Sequence, residues 1–331
     1  MVKTSASLSG LVRGIVPPLV TPLLDRESLD VAGLERLIEH VLEGGVHGLF
    51  VLGTTGEGPM VPPSVRREVV RRTLAITADR VPVLVGITDT VLSESLALAR
   101  FAVEHGASAV VAAAPYYHPA GREPVERWAR TLARALPLPL LLSNLPEVVK
   151  FALPVDTVRR LADEPRIAGL EDSGGDLGVF DGYARIVREH RPDWSLLIGP
   201  EQMLPQAHGL GGQGGVCGGA NVAPRLFVDL QAALETHDDG LAAVLQGRVL
   251  SLARLYTVGT QPCRGIVGIK AALHEMGVCG AATAAWTELL GKGQRDQVAE
   301  IVAEITAPAP GGLRPGRPTA AATLGQGTRP A

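Results

Sequence analysis

The chain has 331 residues, of which 46% are hydrophobic and 20% charged, enough apolar content for a large core in one barrel-sized domain or two smaller ones. Its 31 basic and 34 acidic side chains give a formal net charge of -3, which argues against nucleic acid or an anionic membrane surface as a partner. Three cysteines without a CxxC pattern indicate neither a disulfide framework nor a zinc site, so we expect a cytoplasmic protein that uses no metal and no cofactor.

Residues 1–10 are expected to form an N-terminal arm, and the segment lacks the apolar core of roughly 7 to 15 residues that a secretory signal needs. The chain that follows alternates short aliphatic runs with longer segments of helical period. The strand-like runs are 15–20, 47–52, 82–87, 109–114, 138–142, 167–170, 194–198 and 215–217. The helical segments between them include 31–42, 63–78, 93–105, 123–135 and 155–162.

Apolar strands that alternate with helices predict parallel strands covered by helices, and hence an α/β fold of the (β/α)8 TIM-barrel type over residues 11–224. Residues 225–307 are expected to add C-terminal helices. The Gly-, Pro- and Ala-rich residues 308–331 are expected to form a disordered tail. A doubly wound open sheet is the alternative, but the loop Thr21-Pro22-Leu23 after the first strand lacks the GxGxxG that such a sheet favours.

In a barrel the loops after the carboxyl ends of the strands meet at one mouth, where the chemistry is expected. The polar residues that follow the eight strands are acidic or hydroxylic, with tyrosine, histidine, amide and thiol groups among them, and they include no arginine and no lysine. They are Thr21, Thr54, Thr55, Asp89, Thr90, Tyr116, Tyr117, His118, Ser143, Asn144, Glu171, Asp172, Glu201, Gln202 and Cys217. The whole chain has only four lysines, Lys3, Lys150, Lys270 and Lys292.

Four motifs in the expected order then identify a family. They are Gly53-Thr54-Thr55-Gly56-Glu57, Pro115-Tyr116-Tyr117, Asn144-Leu145-Pro146 and Gly169-Leu170-Glu171-Asp172-Ser173. Together they resemble the dihydrodipicolinate synthase and N-acetylneuraminate lyase family of pyruvate-dependent aldolases, over roughly residues 10 to 305. Gly218-Gly219-Ala220-Asn221 and Ile269-Lys270-Ala271-Ala272-Leu273 are further matches.

The resemblance implies a known chemistry. In this family a lysine at the end of the sixth strand forms a Schiff base with a 2-oxo acid, and the iminium acts as an electron sink. The paired threonines, here Thr54 and Thr55, hold the substrate carboxylate, and a tyrosine in a Tyr-Asn-x-Pro motif moves protons. The second tyrosine of Pro-Tyr-Tyr, here Tyr117, reaches into the site of a partner copy, which implies a homodimer or homotetramer.

Two positions depart from the family pattern, and they are the two that perform this chemistry. Glu171 stands where Gly-Ile-Lys-Asp-Ser has its lysine, and Ser143 stands where Tyr-Asn-x-Pro has its tyrosine. A carboxylate cannot form an imine, and Val148 occupies the place of an arginine that dihydrodipicolinate synthases use. The resemblance is therefore to a divergent member that is neither a dihydrodipicolinate synthase nor a classical Schiff-base aldolase.

The interpretation that follows is a lyase-like enzyme with acid–base chemistry: a lyase, dehydratase, cyclase or isomerase that acts on a small carbonyl or carboxylate metabolite in a specialised pathway. Buried at the centre of the barrel, Glu171 would have a raised pKa suited to proton transfer. The catalytic candidates are Glu171, Tyr117, Ser143 and Thr54. The substrate-binding candidates are Thr54, Thr55, Tyr116, Asn144, Cys217 and Gly218.

Other interpretations stay open at this stage. One is a catalytically silent homologue that binds a metabolite or a partner, and another is a 2-oxo acid aldolase that uses a relocated Lys150. His118 is a secondary candidate for a proton carrier. A metal site built from Glu171, Glu201 and His118 lacks local ligand spacing. Glu57 is expected to be a structural carboxylate that bonds backbone amides.

Overall fold

A computed structural model describes residues 11–118, 120–259, 263–285, 287 and 290–307 of the chain. Within this part the chain forms eight strands. They are β1 (Gly14–Ile15), β2 (Leu49–Val51), β3 (Val83–Gly86), β4 (Ala109–Ala113), β5 (Leu140–Asn144), β6 (Ile167–Asp172), β7 (Ser195–Ile198) and β8 (Gly214–Gly215). The arm expected at 1–10 and the tail expected at 308–331 lie outside the described residues.

Helices follow the strands, and the five helical segments predicted from the sequence agree with the structure to within one residue at each end. The helices are α1 (Val31–Glu43), α2 (Pro63–Thr77), α3 (Leu92–Glu104), α4 (Arg122–Ala135), α5 (Pro146–Val149), α6 (Val155–Leu161), α7 (Leu177–His190), α8 (Leu204–Gly209), α9 (Pro224–Glu235), α10 (Asp239–Leu252), α11 (Arg264–Glu275) and α12 (Lys292–Thr306). Short 3₁₀ turns occur at Gly58–Met60, Glu201–Met203, Gly218–Asn221 and Ala253–Thr257. None of the helices in the described part combines the length and apolar character that crossing a bilayer requires.

The strands form one parallel sheet in the order β1-β8-β7-β6-β5-β4-β3-β2. A parallel bridge between Pro18 and Phe50 joins the segment after β1 to β2 and closes the sheet into a barrel. The predicted (β/α)8 barrel is therefore confirmed, and the doubly wound alternative is wrong.

The carboxyl ends of three strands differ from the prediction for clear physical reasons. The first strand was predicted over 15–20, but Pro17 and Pro18 have no amide hydrogen to donate, so the regular ladder stops at Ile15. The fifth and sixth strands extend further than predicted, because Ser143 pairs with Glu171 and Asn144 with Asp172 in register. These polar pairs continue the ladder to the mouth of the barrel.

The inside of the barrel is filled by its own apolar cluster, separate from the larger core between strands and helices. Its members are Val12, Val16, Phe50, Leu84, Ala109, Val111, Leu141, Ala168, Leu197 and Val216. Ser143 follows Leu141 by two residues on β5 and therefore lies on the same inward face. The change from Leu141 to Ser143 marks where the packed interior ends and a polar site begins.

A buried ion pair connects the C-terminal helices to the loop after β2. Nζ of Lys270, on α11, donates to a carboxylate oxygen of Glu57, and both side chains are fully buried. The second carboxylate oxygen of Glu57 accepts from the amide of Ala284 at 2.7 Å, and Nζ of Lys270 also donates to the carbonyl of Ala282 at 2.7 Å. Glu57 is thus a structural carboxylate, as expected, although the amides it bonds lie 227 residues away.

We predict that Lys270→Met destabilises the protein by about 3–5 kcal/mol, because it leaves the Glu57 carboxylate buried without a counter-charge. The double variant Glu57→Gln/Lys270→Met removes both charges and should recover a large part of that loss. Urea unfolding of the two single variants and the double variant measures this coupling. Losses that simply add in the double variant would contradict the interpretation.

Candidate active site

A cavity of about 260 Å³ opens at the carboxyl ends of the strands. Residues from the ends of β2, β3, β4, β5 and β6, from the loops that follow them and from the segments after β1 and β8 form its wall. They are Pro18, Phe50, Leu52, Gly53, Thr54, Thr55, Pro59, Met60, Gly86, Thr88, Val111, Ala113, Tyr116, Ser143, Leu145, Val148, Val149, Glu171, Ser173 and Val216. Five of the predicted site residues meet here: Thr54, Thr55, Tyr116, Ser143 and Glu171.

The Glu171 carboxyl group lies in this wall and is only 4% exposed. The hydroxyl of Ser143, its partner on β5, donates to Oε2, and the hydroxyl of Ser173 donates to Oε1 at 2.5 Å. Burial raises the pKa of Glu171 to about 7, and the charge of Asp172 acts in the same direction, while the two serine hydrogen bonds oppose the shift. Both protonation states are therefore accessible near neutral pH.

Gly199, directly after β7, provides the space for this carboxyl group. A Cβ atom at position 199 would lie 1.9 Å from Oγ of Ser173 and 2.6 Å from Oε1 of Glu171. Both approaches are far below van der Waals contact, so a side chain at 199 would displace the serine and the carboxyl together. The arrangement of Ser143, Glu171 and Ser173 depends on three neighbouring strands.

Thr54 and Thr55 occupy a tight loop between β2 and the 3₁₀ turn at Gly58–Met60. The backbone of Leu52 is left-handed with φ 60°, and a Cβ at position 58 would lie 2.1 Å from the Leu52 carbonyl oxygen. This close approach needs a glycine and folds the loop back on β2. Both threonines consequently face the cavity, where their hydroxyl groups can bind a carbonyl or carboxylate oxygen.

The two tyrosines of the Pro-Tyr-Tyr segment separate. Tyr116 lines the cavity, and burial raises the pKa of its phenol, with a further contribution from the charge of Asp89. Tyr117 is 74% exposed and packs edge-on against the His118 ring, with centroids 5.0 Å apart. It does not line the cavity of its own chain, so its catalytic assignment stays a prediction that requires a second copy.

Three further predicted residues are absent from the cavity wall. Nδ2 of Asn144 donates to Oδ1 of Asp172 at 2.7 Å, and its Oδ1 accepts from the Leu153 amide at 2.9 Å, so its side chain ties together the ends of β5 and β6. Cys217 is buried, and a Cβ on Gly218 would lie 2.7 Å from the Tyr256 hydroxyl oxygen. The proposed substrate-binding roles of these residues stay predictions.

Glu201 is a second buried carboxyl group close to the mouth. Its Oε2 accepts from the amide of Gly219 at 2.8 Å, and burial raises its pKa to about 7. Unlike Glu171, it is not part of the cavity wall. In the part of the chain that the structure describes, no three His, Cys, Asp or Glu side chains lie close enough together to hold a metal ion, so Glu171, Glu201 and His118 do not form such a group.

No lysine lines the cavity among the described residues. Lys150 is exposed, and its Nζ donates to the Glu147 carbonyl at 2.5 Å. Lys270 is buried in its pair with Glu57, and Lys292 is exposed at the start of α12. Lys3 lies outside the described residues.

The predicted site residues did not include Ser173, Thr88 or the apolar part of the wall. Ser173 stands two residues after Glu171 and could have been found from the strand period, because side chains two apart share a face. Oγ1 of Thr88 accepts a hydrogen bond from the amide of Ala113 at 3.0 Å, and no local sequence pattern predicts this contact. In the sequence alone, the apolar lining residues cannot be distinguished from residues of the hydrophobic core.

Comparison with known proteins agrees with this architecture. The model of the dihydrodipicolinate synthetase family matches residues 11–304. A 4-hydroxy-tetrahydrodipicolinate synthase of Salinibacter ruber is 34% identical over 254 residues, covering 76% of this chain and 83% of the relative. The structure of dihydrodipicolinate synthase from Bacteroides thetaiotaomicron superposes with a TM-score of 0.85 at 40% identity, covering 88% of this chain and 98% of the other. YagE of Escherichia coli K12, solved in complex with pyruvate, has a TM-score of 0.83 at 26% identity, with 88% and 98% covered.

We predict that the free energy of unfolding of Glu171→Gln rises relative to that of the wild type by about 2 kcal/mol between pH 5 and pH 8. The reason is that the pKa of Glu171 is about 7 in the fold, above its ordinary value of 4.5, so ionisation at high pH favours the unfolded chain. Urea unfolding at both pH values measures the difference. Glu147→Gln, an exposed residue after β5, controls for the loss of one negative charge. A difference that does not change with pH would contradict the assignment.

Proposed function

The chain belongs to the dihydrodipicolinate synthetase family, and we propose that it is a lyase-type enzyme that has replaced Schiff-base catalysis with acid–base chemistry at Glu171. The reaction class we propose is a lyase, dehydratase, cyclase or isomerase reaction on a small carbonyl or carboxylate metabolite in a specialised pathway of the cytoplasm. One observation carries the proposal: the Glu171 carboxyl group lies in the cavity wall, hydrogen-bonded by Ser143 and Ser173.

The wall contains the groups that such chemistry requires. The hydroxyls of Thr54 and Thr55 can donate hydrogen bonds to a substrate carbonyl oxygen and polarise it. Glu171 can then take a proton from the neighbouring carbon and return it to another substrate atom, because its pKa of about 7 leaves both forms populated. The two serine hydroxyls orient the carboxyl group and stabilise its ionised form.

The absence of an amine from the described part of the cavity wall supports a mechanism without an imine. Imine formation needs an uncharged amine within reach of the substrate carbonyl, and position 171 presents a carboxyl group instead. Lys150, the alternative we considered, donates to a backbone carbonyl at the surface. We therefore favour an acid–base enzyme that uses Glu171 over an aldolase that uses Lys150.

We also propose that the protein assembles as a homodimer or homotetramer, in which Tyr117 approaches the site of a second copy. Its high exposure beside His118 supports this assignment. Covering so much apolar surface with another chain would stabilise the assembly.

We predict that incubation with pyruvate and borohydride leaves the intact mass of the wild-type protein unchanged. Borohydride reduces an imine irreversibly, and we expect no lysine to form one. Glu171→Lys is the positive control, because it restores an amine at the position that the resemblance assigns to the Schiff base. A pyruvyl adduct on Lys150 or another wild-type lysine would overturn the proposal in favour of an aldolase.

A second prediction concerns proton transfer itself. With 4-methyl-2-oxopentanoate and its primary amide as probes in D2O, we expect the wild type to exchange the hydrogens next to the ketone of at least one of them, as followed by proton NMR. Glu171→Gln should slow this exchange by about 100-fold or more, since a positioned acid–base group contributes a factor of that order.

Glu201→Gln is the matched control for this experiment. It removes another buried carboxyl group whose pKa is also near 7, but one outside the cavity wall, and it should leave the exchange rate within a few-fold. If the wild type promotes no exchange with either probe, or if Glu171→Gln is as fast as the wild type, the silent homologue is the better interpretation.

A further inference from the structure

The ionisable groups of the cavity wall are all acids. Among the lining residues Glu171 and Tyr116 are the ionisable groups, and both become negative when they lose a proton. The remaining polar side chains are hydroxyls, from Thr54, Thr55, Thr88, Ser143 and Ser173. The other lining residues are apolar side chains and glycines, among them Phe50, Leu52 and Val216.

Two cationic side chains adjoin lining residues, Arg66 through the Pro59 carbonyl and Lys150 through the chain, and both are engaged elsewhere. Nη1 of Arg66 donates to Asp89 at 2.7 Å, its Nε to the Val61 carbonyl at 3.1 Å and its Nη2 to the Pro59 carbonyl at 3.3 Å. Lys150 follows the lining residues Val148 and Val149 but donates to the Glu147 carbonyl. A bound anion would therefore find hydroxyl donors in this wall but no counter-charge.

We infer that the cavity takes a neutral carbonyl compound with an aliphatic body, and not the anion of a 2-oxo acid. This inference rests on the proposed function, because it assigns the substrate class of the same site. A neutral carbonyl oxygen needs only hydrogen-bond donors, which the Thr54 and Thr55 hydroxyls supply. An anion would also have to leave water and approach the Glu171 carboxyl group without a paired cation, at a large cost in free energy.

The entrance has the same character as the wall. Met60 is 42% exposed and Val148 is 51% exposed, and both line the cavity. Val148 stands two residues after Pro146, on the short helix α5 at the rim. An aliphatic substrate can therefore contact apolar side chains from the rim to the floor.

Two 2-oxo compounds that differ mainly in charge, together with an amine that lacks the carbonyl group, test the inference. The three probes are 4-methyl-2-oxopentanoate, 4-methyl-2-oxopentanamide and 3-methylbutan-1-amine, an anion, a neutral amide and a cation with the same branched body. We expect calorimetric titration at pH 8 to give a Kd for the amide at least tenfold below the Kd for either charged probe. In Glu171→Gln the oxo acid should gain at least tenfold, because the opposing carboxylate is gone.

Val148→Arg provides a second, independent arm. Since Val148 is half exposed at the rim, an arginine there can be accommodated and would supply the missing counter-charge. We expect this variant to raise the affinity for the oxo acid relative to the affinity for the amide at least tenfold over the wild-type ratio. Val148→Gln, a long but uncharged replacement, is the matched control: it loses the same apolar contact for both probes and should not raise this ratio.

Tighter binding of the oxo acid than of the amide by the wild type would overturn the inference and indicate a 2-oxo acid site. Tightest binding of the amine would overturn it in favour of a cationic substrate, and binding of none of the probes would exclude the proposed aliphatic class. These outcomes are separate from the fate of the proposed function. Preference for the amide without hydrogen exchange leaves the substrate class intact and removes the catalytic role, whereas exchange with preference for the oxo acid does the reverse.

Discussion

The pairing of Ser143 with Glu171 across β5 and β6 places a carboxyl group inside the barrel and, with Ser173, surrounds it with hydroxyls in place of cations. Everything distinctive about the site depends on this contact. It makes the more buried of the two ionisable groups in the cavity wall an acid whose ionised form is opposed by burial and supported by hydrogen bonds alone. The same contact places a carboxyl group without a paired cation in the cavity wall, so that the proposed mechanism and the proposed substrate class have a common origin.

Three buried glutamates of the described part of the chain lie close to the mouth of the barrel, and each is accommodated differently. Glu57 is neutralised by Lys270 and bonded by backbone amides, so it acts as a fixed anchor between the threonine loop and the C-terminal helices. Glu201 accepts one amide hydrogen bond outside the cavity wall. Of the three, Glu171 alone lines the cavity. A pKa close to neutrality is therefore not enough to mark a catalytic group, and access to the cavity separates Glu171 from Glu201.

Much of the fold was predictable because its signals are local. The alternation of apolar runs with helical periods identified the barrel, and the motif order identified Thr54, Thr55, Tyr116, Ser143 and Glu171. The contacts that were not predictable join distant parts of the chain: Lys270 meets Glu57 across 213 residues, and no local pattern encodes that pair. The contacts of the Asn144 amide with Asp172 and Leu153 were not predictable either, and its substrate-binding role stays a prediction. The proposed catalytic role of Tyr117 requires a contact with a second copy of the chain, and one chain by itself does not contain that contact.

Gly199 constrains which residues can occupy positions 171 and 173. Because a Cβ there would collide with both Ser173 and Glu171, a change at 199 is tolerated only together with a smaller or displaced group at 171 or 173. These three positions should therefore covary among relatives, with glycine at 199 accompanying the glutamate and serine pair. Engineered libraries that aim to alter this site will sample working combinations only if they randomise 171, 173 and 199 together.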